Sequence, residues 1–108
     1  MPPFFSTWKP PADIFFSGNH WLIKLELAGI APDEVEIITQ GTMLVVRGRR
    51  RDLLLRQGFS CHSMEISYSN FERSFSLPTG IVPDSVAWDY QQGILLITCE
   101  TKDQGGQP

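Results

Sequence analysis

No stretch of this chain holds a 3.6-residue apolar period for the roughly 12 residues that a typical helix needs, which excludes a helical bundle. Long apolar runs are missing too: none approaches the length of a membrane span, and the opening MPPFFSTWKPP lacks a basic stretch followed by an apolar core. The expected location is therefore the cytoplasm, with no membrane as partner. Charge is scarce, at 19% of residues with a net of −3, so nothing draws the chain globally to nucleic acid. The local basic run Arg47-Gly48-Arg49-Arg50-Arg51 is not extended by its surroundings and reads as a solvated strand end. Cysteines number only 2, and Cys61 and Cys99 are not at metal-like spacing, so both are expected reduced and no metal is expected. Paired carboxylates, a Ser/His arrangement and a phosphate loop are all lacking, and the glycines sit at turns. Neither an enzyme nor a cofactor is expected.

What is present is apolar residues, 42% of 108, with 11% aromatic, enough for one core and not for two. They alternate at period two, the signature of strands with one buried face. In WLIKLEL (21–27), Trp21, Ile23, Leu25 and Leu27 share a face opposite Lys24 and Glu26. ADIFF (12–16), EVEIIT (34–39), MLVVRGR (43–49), NFERSFSLP (70–78), SVAWDY (85–90) and ILLITCE (94–100) are further strands. The turns QGT and QQG join neighbours, and Pro32 suits the start of a single helical turn. Cys99 continues the parity of Leu95 and Ile97 and is read as a small core residue. Short strands separated by turn residues predict an all-β, immunoglobulin-like β-sandwich of eight or nine strands.

Two features do not fit a plain sandwich. Arg73 has the parity of Phe71, Phe75 and Leu77, yet a guanidinium cannot shed its charge on burial. It either snorkels off an edge strand or meets a carboxylate or carbonyl on another segment or another chain. Residues 51–69 form an excursion too long for an ordinary connection. Cys61 and His62 lie side by side in it, but neighbours in an extended strand point to opposite faces and do not share a proton.

Five segments in order resemble the α-crystallin domain of the small heat-shock proteins, of the bacterial and plant type, from Trp8 to Lys102. PPADIFF is similar to P-x-x-D-I, and LELAGI to L-P-G-[VI], with Ala28 where proline is usual. TMLVVRGRR resembles L-x-I-x-G-E-R, with Arg49 in the acidic position. HSMEISYSNFERSFSLP resembles H-R-x-E-R-x-Y-G-x-F-x-R-x-F-x-L-P, keeping His62, Glu65, Tyr68, Phe71, Arg73, Phe75, Leu77 and Pro78. DSVAWDYQQGILLITCETK resembles D-x-[VI]-x-A-x-x-x-N-G-[VI]-L-x-[VI], keeping Asp84, Val86, Gly93, Ile94, Leu95 and Ile97.

The resemblance implies an ATP-independent chaperone that holds partly unfolded client proteins and limits their aggregation. It implies a homodimer in which the excursion carries a strand to the partner's sheet edge, with GFSCH (58–62) the candidate. Leu53, Leu54, Leu55, Phe59, Cys61, His62, Glu65 and Arg73 are the expected dimer-interface residues, with Glu65 or Glu72 meeting Arg73. Val35, Ile37, Val86 and Trp88 are the expected groove for client binding. Trp88 stands where the family usually has alanine, and reads either as a core residue or as a groove-lining aromatic. The leucine triplet replaces charged residues and reads either as partner contact or as an exposed client patch.

Residues 1–7 are expected to be a short N-terminal remnant, with Phe4 and Phe5 its only client-capturing aromatics, and 103–108 a disordered polar tail. The tail has no I-x-I motif, so the dimer is the largest stable species expected and holding is expected to be weak. Another reading is a specific adaptor of CS-domain type, or a mixed-dimer partner of a longer small heat-shock protein.

Overall fold

A computed structural model of the chain describes residues 8–103. The expected N-terminal remnant 1–7, with Phe4 and Phe5, and tail residues 104–108 lie outside the described residues. Seven strands follow in order: β1 (Ala12–Ser17), β2 (His20–Glu26), β3 (Glu36–Gln40), β4 (Met43–Arg49), β5 (Asn70–Ser76), β6 (Ala87–Gln91) and β7 (Ile94–Glu100). Isolated bridges of Trp8 to Phe71 and of Ile81 to Thr101 add two further β segments. The result is the expected all-β, immunoglobulin-like sandwich. One antiparallel sheet has the order β1-β2-β7-β6 and the other β3-β4-β5.

Alternation builds the core. Ile23, Leu25 and Leu27, Leu44 and Val46, Phe71, Phe75 and Leu77, and Leu95, Ile97 and Cys99 are all buried. Their even spacing places them on the inner faces of the two sheets, where each larger side chain contributes about 1.5–3 kcal/mol. Among the described residues Thr101 is the buried polar one, and it is engaged: its hydroxyl accepts from Trp21 Nε1 at 3.2 Å and its carbonyl from Asn19 Nδ2 at 2.8 Å.

Hairpin chemistry sets the register. Between β6 and β7 only Gln92 and Gly93 intervene, and both have positive φ (51° and 82°). That is the type I′ geometry whose twist matches the strands it joins. Edge strands β3 and β6 are each preceded by a single 3₁₀ turn, Pro32–Glu34 and Pro83–Ser85, opened by proline at the first helical position. The first was expected from Pro32; the second follows from a similar Pro-Asp pattern.

The architecture leaves two sheet edges, β1 and β6, on one layer and β3 on the other at the far side from β5. β5 is joined on its outer side by Trp8, whose N–H donates to Asn70 O at 3.0 Å. Between β4 and β5 the chain leaves the sandwich altogether, and no strand occurs from 51 to 69.

Candidate functional site

Strand β6 pairs with β7 so that Trp88 stands opposite Ile97 and Tyr90 opposite Leu95, which puts both aromatics on the core side. Tyr90 is held there: its hydroxyl donates to Leu27 O at 2.7 Å. Trp88 is not enclosed, with 50% of its surface exposed. Of the two sequence readings, the core tryptophan is therefore set aside, and Trp88 is a rim residue of the sandwich. Val35, Ile37 and Val86 are half-buried and pack against the core from the margins of β3 and β6. Four apolar side chains thus flank two strands whose outer edges carry no strand among the described residues.

The opposite edge, β1, is equally open and more apolar. Ile14, Phe15 and Phe16 are exposed, Phe16 to 69%. Phe16 stacks on Trp21 with ring centroids 5.0 Å apart, and Lys24 Nζ sits 5.2 Å over the Phe15 ring on the other face. A depression of about 340 Å³ opens here between Phe15, Phe16, His20, Trp21, Leu22 and Cys99. None of these residues was singled out from the sequence as a binding residue. A signal existed: Ile14, Phe15 and Phe16 are apolar on both parities, which an edge strand with one buried face does not require.

All of the excursion residues named as interface candidates, Leu53, Leu54, Leu55, Phe59, Cys61, His62 and Glu65, are exposed. Leu54 is 86% exposed, held only locally by its N–H donating to Asp52 Oδ1 at 3.0 Å. The candidate strand 58–62 has no strand partner among the described residues of its own chain. Cys61 and His62 are exposed side chains with no third group oriented towards them among the described residues. The other thiol, Cys99, is buried, and burial pushes it up and favours its protonated form.

Arg73 is part-buried on the inner face and is not brought together with the excursion. Its Nη1 donates to Pro10 O at 2.6 Å, and its guanidinium lies 5.1 Å from the Phe75 ring centroid. Within the single chain its hydrogen-bond partner is thus a backbone carbonyl 63 residues away, and neither Glu65 nor Glu72 bonds to it there. Glu72 instead stands opposite Arg47, whose guanidinium is raised above its ordinary value chiefly by its hydrogen bond to Glu36. Among the described residues there is no grouping of three or more His, Cys, Asp or Glu side chains fit to hold a metal. Nor is any helix among them long and apolar enough to cross a membrane.

The arrangement has two features that suit an extended polypeptide. Open edges offer backbone hydrogen bonds, and flanking apolar side chains offer pockets for alternate residues.

Comparison with known proteins follows the same lines. The model of the Hsp20/alpha crystallin family matches residues 13–108. The chain is 30% identical over 96 residues to small heat shock protein C2 of Rickettsia felis, covering 89% of this chain and 62% of that protein. It superposes on the hspA structure from Xanthomonas axonopodis with a TM-score of 0.75 at 27% identity, covering 90% and 97% of the two chains. A small heat-shock protein from Xylella fastidiosa matches with a TM-score of 0.76 at 25% identity, covering 95% and 94%.

Proposed function

The chain belongs to the Hsp20/alpha crystallin family, and from that premise we propose that it is an ATP-independent chaperone core that holds partly unfolded proteins through its open sheet edges and works as a strand-exchanged homodimer. A chaperone-type role is what the family carries. The finer reading rests on the pairing of an open edge with an unhoused segment. β1 exposes Ile14, Phe15 and Phe16 beside an edge with no strand on it among the described residues, while every residue from 51 to 68 is exposed. Each is the kind of surface that the other would cover, and a two-fold axis lets two chains exchange the same contact.

In this reading strand 58–62 of one chain lies along β1 of its partner, with the leucine triplet, Phe59, Cys61, His62 and Glu65 at the junction. Arg73 commits Nη1 to Pro10 and retains further N–H donors for an incoming carboxylate. Clients, or the strand of another small heat-shock protein in a mixed dimer, occupy the apolar margins at Val35, Ile37, Val86 and Trp88. The exposed apolar residues form separated groups, so single contacts are weak and reversible, and holding by this chain is expected to be modest. No nucleotide enters the mechanism, because occupying an aggregation-prone segment requires only that it be bound faster than it pairs with its like.

Light scattering of a heat-stressed client tests the proposal. Scattering that falls as the chain approaches equimolar ratio supports it; identical curves with and without the chain reject holding while leaving the fold untouched.

A further inference from the structure

Three segments of the chain converge on the guanidinium of Arg50. Its carbon lies 3.7 Å from the ring centroid of Trp8 and 6.0 Å from that of Tyr68. Nε donates to Ser67 O at 2.8 Å and Nη1 to Ala28 O at 3.2 Å. The backbone completes the knot: Arg50 N–H donates to Ser69 O at 3.0 Å, and Trp8 N–H donates to Asn70 O at 3.0 Å. Arg50 is the residue at which the chain leaves the sandwich, and Ser67 to Asn70 is where it returns.

We propose that Arg50 is a positioning residue that latches the base of the 51–69 excursion and ties its closure to the seating of the segment carrying Trp8, so that displacing Trp8 loosens the excursion. The chemistry suits one planar cation and no other side chain. In-plane N–H groups reach two carbonyls while the π face of the same plane lies on an indole, so the contacts are made together. An ammonium is a point charge, and cannot offer an in-plane fork and a stacking face at once. With the latch closed, the excursion has a defined take-off from the end of β4. With it open, Arg50 N–H loses Ser69, and the free segment grows at both ends. Its use to an exchanged strand rests on the proposed function above; the latch itself is a property of a single chain.

Amide exchange followed by NMR on the whole chain tests this by reading each side of the latch in a variant of the other. Trp8→Leu is expected to speed exchange of the Arg50 amide about tenfold, and Arg50→Lys that of the Trp8 amide to a similar degree. The amides of Leu25 and Ile97 serve as core references and are expected to keep their rates. Arg51→Ala, which removes an ion pair to Glu34 but touches neither Trp8 nor Ser67, is expected to change neither amide. Should Trp8→Leu not fold, Trp8→Phe keeps a smaller ring and is expected to give a smaller rise at the Arg50 amide. Unchanged exchange at either cross-read amide in a folded variant overturns the latch, as does a rise that merely follows the core amides. Sedimentation of the same samples separates the two ideas: a monomeric wild type with coupled amides keeps the latch and removes the exchanged dimer.

Discussion

Gly48 on β4 lies directly beneath the ring of Phe71 on β5: a Cβ added to Gly48 would stand 3.0 Å from both Cε2 and Cζ of that ring, and 3.2 Å from Glu34 O. Phe71 has little room to yield, because it is 2% exposed and its ring also meets Trp8 edge-on at 5.8 Å. Gly48→Ala is therefore expected to lower stability by about 1–3 kcal/mol, as overpacking a filled core does. Urea unfolding checks it, and a change below about 0.5 kcal/mol would show that the ring has room to move.

Tyr90 anchors the β6 edge through its hydroxyl, which donates to Leu27 O at 2.7 Å in a part-buried site. Tyr90→Phe keeps the ring and removes the donor, at an expected cost of about 1 kcal/mol. Because β6 is an edge strand, the loss is expected to appear locally, as faster amide exchange from Ala87 to Gln91 with β2 little affected. Uniform acceleration across both strands would make the bond a global support and not an edge clamp.

Much of this fold was legible because parity is a strong constraint. A slip of one residue in β2, β5 or β7 would turn Ile23, Phe75 or Ile97 outward, so their faces follow from spacing alone. The Pro32 turn was legible for a similar local reason. Parity does not say how far a position stands from the rim, and Trp88 illustrates this: its face was readable, its 50% exposure was not. For Arg73 a carbonyl on another segment was among the readings, but which carbonyl was not legible, since a carbonyl has no side-chain signature and Pro10 lies 63 residues off. The β1 aromatics were overlooked because an apolar residue on a strand suggests core, whereas β1 is an edge strand with Ile14, Phe15 and Phe16 exposed.

The two thiols are expected to separate cleanly. Cys61 is exposed and Cys99 buried, so a thiol reagent should modify one cysteine per chain at once and the second only on unfolding. If strand 58–62 is exchanged, Cys61 should also become slower to react as protein concentration rises through the dimerisation range. Modification of Cys61 independent of concentration would argue against its place at the interface.

Burial raises the Cys99 thiol above its ordinary value. The folded state holds the proton to higher pH than the unfolded state does. The associated stability is thus complete below the unfolded thiol pKa and is lost as pH rises from there through the folded value. Cys99→Ala is expected to flatten the decline of stability with pH above about 9, although it lowers stability throughout by leaving a small cavity. An unchanged slope in Cys99→Ala would assign the alkaline decline to other groups.

Leu54 on the excursion and Phe16 on β1 are 86% and 69% exposed in the single chain, so neither should matter greatly to folding if the chain acts alone. Leu54→Ser and Phe16→Lys are each expected to change stability of a monomer by little, within the range usual for surface positions. In a strand-exchanged dimer the outcome differs. Removing an apolar anchor forfeits about 1.5–3 kcal/mol, and a lysine on an edge strand opposes the pairing of another chain, so dissociation constants should rise roughly ten- to a hundredfold. Sedimentation equilibrium over a concentration series reads this directly, with thermal unfolding of dilute protein as the folding control. If the two residues lie against each other across the two-fold, the double variant should weaken association by less than the two single effects combined. Additive effects would place them at separate parts of the interface, and no effect from either would mean that the excursion does not reach β1.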